Sequence, residues 1–325
     1  MRIIFLQCTC RLLIALVFLI ATPVQAQTFP SKNIEVVVHT GPGGGSDLFS
    51  RAVADIISRE RLLTQPLVIM NRAGGGGVIA QNYVAGKRGD PYTVFAVVAS
   101  LMVAVPIRSQ LDIGLDKFQP LGLLGFDINC IAVRPDSPYK SAKEFIEAAR
   151  SNPKTLSLGL GAVGGASHYL PYMLEKMSGA RFNMVSMKSG SEAVLAVMGG
   201  HVQATTEQLA EMTELVAGKK LRILAVASQQ RLAGMPDVPT LKEQGYDLHI
   251  GGGRGFVAPA GIPIEAAAIL ESTLAKVYRS PAWKEYMKRN SYEEVYMNGS
   301  DFGRHLLAEQ PRMTQYIHEM GLSGK

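Results

Sequence analysis

Apolar residues fall into short runs, and nearly every run is followed by a stretch with helical spacing. Ile34-Glu-Val-Val-Val38 reads as a buried strand, and Leu48, Ala52, Val53, Ile56 and Ile57 then share one helix face. Leu67-Val-Ile-Met70 and Tyr92-Thr-Val-Phe-Ala-Val-Val98 are further strands, with a helix between them carrying Ile79, Tyr83 and Val84. A new unit starts near residue 127 with the strand Cys130-Ile-Ala-Val133. Ser141-Ala-Lys-Glu144 is a capping box that opens a helix of Phe145, Ile146 and Ala149. Leu156–Leu160, Phe182–Val185 and Leu221–Ala227 read as strands, and Leu170, Met173, Leu174 and Met177 and then Ala193–Met198 read as helices. The closing segment turns back through Phe256-Val-Ala-Pro259. Pro263 fits a first helical turn, Ser280-Pro281 starts the next helix, and Ser300 is expected to cap a last helix that Pro311 should kink or break. Strands alternating with helices predict parallel α/β sheets, and the repeated order of strand, small-residue turn and helix predicts two similar domains facing each other.

Three turns rich in small residues punctuate this pattern: Gly41-Pro-Gly-Gly-Gly-Ser-Asp47, Asn71-Arg-Ala-Gly-Gly-Gly-Gly77 and Gly161-Ala-Val-Gly-Gly-Ala-Ser-His168. A turn of this kind ahead of a helix exposes backbone N–H groups and the positive end of the helix dipole, which favours an anion.

The start of the chain sets which anion. Arg2 and Arg11, the apolar run Leu12–Ala21 and the small-residue site Val24-Gln25-Ala26 read as a secretory signal over residues 1–26, cleaved near Ala26. The run is too short for a spanning helix. An exported protein is predicted to meet a small organic carboxylate rather than a nucleotide. Cleavage leaves 299 residues, enough for two domains, and lowers the formal charge from +6 to +4. That mild excess helps attract anions but, without a Lys/Arg block or a stacking motif, does not point to nucleic acid, and no nucleic-acid partner is expected. Cys8 and Cys10 leave with the signal, and Cys130 remains as a buried apolar residue with no disulfide partner.

In order along the chain, Pro30-Ser-Lys-Asn-Ile34, the turns at Gly41, Asn71 and Gly161, Lys219–Ala227, Arg231-Leu-Ala-Gly-Met-Pro-Asp-Val-Pro-Thr240 and Arg254–Pro263 resemble the Bug family. These are the TctC-like periplasmic solute-binding proteins of tripartite tricarboxylate transport systems. The resemblance implies a Venus-flytrap fold of two doubly wound Rossmann-like domains joined by crossover strands. Domain 1 would comprise residues 27–127 and 251–325, and domain 2 residues 128–250. It also implies a periplasmic, monomeric receptor that passes a di- or tricarboxylate, acidic amino acid or aromatic carboxylate to TctA/TctB-like membrane subunits, without cofactor or metal. The chain departs from the family pattern at Ser186-Met-Lys-Ser-Gly190, at Gly199-Gly-His-Val-Gln203, and at Glu207, where the family carries an aspartate. Met187 replaces an aromatic hydroxyl, and the ligand cannot be inherited.

Candidate ligand-binding residues follow from the turns. On the first jaw they are Pro42, Gly43, Gly44, Gly45, Ser46 and Asp47, with Asp47 read as an N-cap or loop brace. On the opposing jaw they are Gly164, Gly165, Ala166, Ser167 and His168, where His168 either donates to a carboxylate or orients its loop. Asn71–Gly77 is expected to brace the first turn. Ser100 lies at a strand end, Lys188 offers a charge, and Glu207 accepts a hydrogen bond from ligand or water or pairs with a basic neighbour. Arg254 reads first as a structural ion pair and second as a ligand contact. No catalytic residue is expected: Ser167 and His168 are adjacent, which is the wrong geometry for nucleophile and base, and the six histidines lack zinc-ligand spacing. Two other roles share these residues, a sensor reporting to a signalling ectodomain and an exported enzyme acting on carboxylates.

Overall fold

The structure is a computed structural model and describes residues 28–161 and 163–323. The signal over residues 1–26 lies outside these residues.

The strands are β1 (Ile34–Val38), β2 (Leu67–Asn71), β3 (Thr93–Val98), β4 (Phe118–Ile128), β5 (Cys130–Val133), β6 (Ser157–Leu160), β7 (Asn183–Ser186), β8 (Ala204–Thr205), β9 (Arg222–Val226), β10 (Gly251–Pro259) and β11 (Met297–Asn298). They form a six-stranded sheet in the order β11-β4-β10-β3-β1-β2 and a five-stranded sheet in the order β7-β6-β8-β5-β9. β1, β2 and β3 are parallel, as are β6, β7 and β8, whereas β10 runs antiparallel to β3 and β4.

Parallel strands covered by helices on both faces must be apolar on both faces, and β1 meets that requirement. Ile34, Val36 and Val38 pack with Phe49, Val53, Phe256 and Trp283, while Val37 points the other way to Phe95, Phe302 and Tyr316. Trp283 is fully buried and its indole N–H donates to the Leu124 carbonyl at 3.2 Å, so this residue is scaffold. In the second sheet Ile131 and Val133 face one core, and Cys130 and Ala132 the other. Cys130 is buried, and desolvation holds its thiol well above the usual range.

The two sheets are linked where β4 ends and β5 begins one residue later, and where the returning chain enters β10. The Asn129 N–H donates to Ile250 O at 3.0 Å, the Ala227 N–H to Asn129 O at 2.8 Å, and the Ile250 N–H to Ala227 O at 2.8 Å. The Asn129 side chain adds a buried bond to Thr206 O at 2.8 Å. These bonds fix both crossings side by side, next to the register pair Gly251 and Ile128.

Two expectations for the last helix are corrected. It runs unbroken over Gly299–Glu319 with Pro311 inside. The proline frees the carbonyl of Leu307, which lies on the exposed side (60% exposed), while Met313, Tyr316 and Ile317 beyond it stay anchored in the core. The cap is Asn298 rather than Ser300, its side chain accepting from the Asp301 N–H at 2.9 Å.

Candidate functional site

Three helices begin at one crevice between the sheets. Gly45–Arg59 follows β1, and Ala166–Ser178 and Gly190–Met198 follow β6 and β7. Ser46 from the first, Gly165, Ala166 and Ser167 from the second, and Ser189 and Gly190 from the third line a cavity of about 60 Å³. Three partial positive charges therefore converge on it. The first and third helix starts touch across the crevice, where the Ser191 hydroxyl donates to Gly43 O at 3.2 Å.

The floor of this cavity is ionic. Arg254 on β10 is 1% exposed and donates to Asp127 on β4 at 2.6 and 2.8 Å, to Gln208 Oε1 at 2.6 Å and to Ser46 Oγ at 3.2 Å. Its guanidinium lies 3.8 Å from Glu211. Glu207 accepts from the Gly161 N–H at 2.5 Å. Both glutamate side chains reach toward Gly190: a Cβ there would stand 2.2 Å from Glu211 Oε2 and 2.9 Å from Glu207 Oε2. A Cβ at Gly45 would lie 2.2 Å from the Arg254 guanidinium. Glycine at these two positions lets the main chain approach the charged cluster.

Burial in this cluster moves the acids upward. Desolvation, and then repulsion from Glu207, push the Glu211 carboxyl to about 8, with Arg254 opposing. Glu207 is raised by desolvation, against the Gly161 hydrogen bond. Asp127 is raised by burial and restrained by Arg254. His39 behaves in the opposite sense, since burial and Arg254 lower it to about 4 and keep it neutral. Three buried atoms in this lining have no hydrogen-bond partner: His39 Nδ1, Thr40 Oγ1 and Glu211 Oε2.

Seven of the residues singled out in the sequence meet at this cavity: Ser46, Gly165, Ala166, Ser167, Lys188, Glu207 and Arg254. Pro42, Gly43, Gly44, Gly45, Asp47, Gly164 and His168 are not in its lining. Asp47 accepts from the Gly43 N–H at 2.9 Å and from Asn71 Nδ2 at 3.0 Å and pairs with Arg51. It is a loop brace, and the cap position belongs to Gly44. Its carboxyl is lowered, the hydrogen bonds outweighing burial. His168 Nδ1 accepts from the Gly164 N–H at 3.1 Å, and burial followed by Arg108 lowers the ring to about 4, so His168 orients its own loop as a neutral ring. Ser100 is buried with an unpaired hydroxyl and lines a second cavity of about 430 Å³ with Phe126, His305 and Arg312, which shares Ala166 with the first. Met187 packs into the core and not into the cavity. Asn71 braces the first turn, as expected, through Thr40 O at 2.9 Å, and the same loop brings Gly74, Gly76 and Gly77 to the lining.

Sequence reading passed over His39, Thr40, Gln208 and Glu211, and it marked Ser189 and Gly190 only as part of a run that departs from the family pattern. Two signals were present. His39 and Thr40 follow the carboxyl end of β1, where open α/β sheets place ligands. Ser189-Gly-Ser-Glu192 is a capping box: Ser189 Oγ accepts from the Glu192 N–H at 3.2 Å, and Glu192 accepts from the Lys188 N–H at 2.7 Å. Glu211 carried no such signal.

Two mixed α/β sheets, crossed twice by the chain and meeting at a crevice, define a Venus-flytrap binding-protein fold. Residues 49–322 match the family described as the Tripartite tricarboxylate transporter family receptor, and the chain belongs to that family. It is similar to the UPF0065 protein in the gbd 5' region of Cupriavidus necator, 30% identical over 309 residues that cover 94% of this chain and 93% of the relative. Among solved structures it resembles the periplasmic binding protein BugD, with a TM-score of 0.83, 26% identity and coverage of 91% of this chain and 99% of that one. It also resembles Rpa4515 of R. palustris, solved with adipate, with a TM-score of 0.84, 25% identity and coverage of 91% and 99%. The family is described as one of receptors, and the similar structure BugD is a periplasmic binding protein.

Proposed function

We propose that this protein is a periplasmic receptor that captures a small organic carboxylate in the crevice and delivers it to the membrane subunits of a tripartite tricarboxylate transporter. The observation that carries the reading is the convergence of three helix N-termini from both sheets on one cavity. N–H groups and helix dipoles held in place stabilise a carboxylate without reorganisation. Adipate in Rpa4515, a protein of the same fold, supports a carboxylate ligand. In this reading the units that move are residues 27–127 with 251–325 and residues 128–250, hinged at Asn129 and Ile250. The ligand docks on one jaw and is enclosed by the other, and contacts made only in the closed form drive closure. The protein acts as a monomer after export and removal of the signal.

A thermal-shift panel of aliphatic and aromatic carboxylates tests this. A ligand at about 100 times its Kd stabilises the folded form by about 2.7 kcal/mol. Ser46→Ala and Ser167→Ala are each expected to weaken that ligand severalfold, and unchanged affinity in both places the ligand elsewhere. Conversion of a carboxylate to product by the pure protein would replace the receptor reading with an enzyme.

A further inference from the structure

The crossing strands have a second face. Side chains alternate along β10. Arg254 turns to the crevice, and a Cβ on Gly252 would meet Gln208 and Val98 of the same lining. Gly251 and Gly253 turn the other way. β4 alternates in register with it: Asp127, opposite Gly252, bonds Arg254, whereas Phe126, opposite Gly253, faces away from the crevice. Gly251, Gly253 and Phe126 wall the cavity of about 430 Å³ behind these strands. That volume falls in the usual range of small-molecule sites, roughly 300–1,000 Å³. The remaining walls come from the starts of the helices Ala99–Ser109 and Ala166–Ser178, from His249 and Ile250, and from the last helix.

One part of this cavity offers donors. The helix Ala99–Ser109 begins at its wall, and the cap residue Val98 has no side-chain acceptor for the first turn. Ser100 in that turn is 5% exposed, and its hydroxyl has no hydrogen-bond partner. A positive helix end beside an unpaired hydroxyl favours an anion. Glu309 is the one acid among the described residues of the wall, and it is paired with Arg312. His249 gives one ring nitrogen to Glu293 at 3.0 Å, a bond that raises its pKa. His305 is lowered by burial and stands edge-on to Phe126 at 5.7 Å between ring centroids. The other part is apolar: Phe126, Tyr169, Ile250 and Met313, with the Arg312 guanidinium over the Tyr169 ring at 5.1 Å.

We propose that this cavity is a second binding site, for a small monoanion with a flat apolar body, such as an aromatic monocarboxylate. The carboxylate lies at the helix start with Ser100, and the ring lies against Phe126 and Tyr169. A second negative charge on the ligand would meet Glu309. The site is separate from the crevice and stands or falls without it, although Ala166 lines both.

The test has two parts. Crystals of the mature protein are soaked with 4-bromobenzoate, and the anomalous bromine signal locates the ring. The same protein is titrated calorimetrically with benzoate, with acetate, which lacks the apolar body, and with benzyl alcohol, which lacks the charge. A bromine signal beside Phe126 and Tyr169 is expected, with a benzoate Kd of about 1 mM or tighter. Acetate and benzyl alcohol should each bind severalfold more weakly. Ser100→Ala should weaken benzoate about tenfold, as loss of a hydrogen bond to a charged group does. Arg312→Met, at the exposed rim, should weaken it severalfold and leave the ligand of the crevice at its wild-type affinity. Bromine found only in the crevice, or nowhere, overturns the inference. So does benzyl alcohol or acetate binding as tightly as benzoate, or benzoate affinity unchanged in both variants. None of these results touches the receptor reading, which the carboxylate panel and Ser46→Ala decide separately.

Discussion

Glu211 and two buried histidines set how stability should depend on pH. The Glu211 carboxyl, at about 8 when folded and 4.5 in its ordinary state, keeps a proton that the unfolded chain has already released. Its contribution is therefore full below about pH 4.5 and is lost as pH rises toward 8. His39 and His168, both lowered to about 4 from 6.5, act in the reverse sense and lose stability as pH falls from 6.5. From these three groups the ligand-free protein is expected to be most stable near pH 6.5 and to lose roughly 2 kcal/mol by pH 8, at about 1.4 kcal/mol per pH unit. Urea denaturation at a series of pH values measures this, and Glu211→Gln should abolish the loss above pH 6.5. A variant that keeps the wild-type slope would mean that Glu211 is ionised at neutral pH. At this scale the sequence was readable only where a residue sits beside a local signal. Ser46 and Ser167 stand at helix starts that follow glycine-bearing turns. Glu211 gains its role from Arg254 and Asp127, which are distant in sequence and meet it only through the six-stranded sheet.

Elements were more legible than residues because their signals are local. Ser141 and Ser280 cap the helices their sequence announced, each accepting the expected N–H at 3.1 Å. The last helix shows where local signals compete. Asn298 and Ser300 are both good caps by type. The chain selects Asn298, because the helix can then begin at Gly299, whose lack of a side chain fits within 2.6 Å of the Pro120 carbonyl. Asn298→Ala is expected to cost about 1 kcal/mol of stability, and Ser300→Ala less than about half of that, as for an ordinary exposed position. Equal losses, read from urea midpoints at constant slope, would restore Ser300 as the cap. Pro311 misled for a related reason: a proline ends a helix only when neither packing nor solvent compensates, and here the core residues on its far side hold the helix together.

At the scale of the whole molecule, two sheets were foreseeable from the repeated strand, turn and helix pattern, whereas their contact was not. Periodicity gives no information on how a crossing places one lobe against another. Beyond the crevice, Lys176 pairs with Glu319 at 2.8 Å, Tyr172 reaches the same carboxylate, and Tyr169 packs edge-on to Tyr316 at 4.9 Å between ring centroids. These contacts, with Ser191 on Gly43, join elements that follow the five-stranded sheet to elements of the six-stranded one. The exposed ion pair adds little by itself, about 1 kcal/mol or less. The buried bonds of Arg254 to Gln208 and of the Ala210 N–H to Asp127 would also be given up if the two units of the proposed receptor parted, so ligand contacts must outweigh them in the closed form. The most direct measurement is a crystal structure of the mature protein with the tightest ligand of the carboxylate panel. The account predicts ligand density between Ser46, Ser167, Ser189 and Glu211, enclosed by both lobes. Density confined to the neighbouring cavity at Ser100 and Arg312, with the space above Arg254 unfilled, would contradict it.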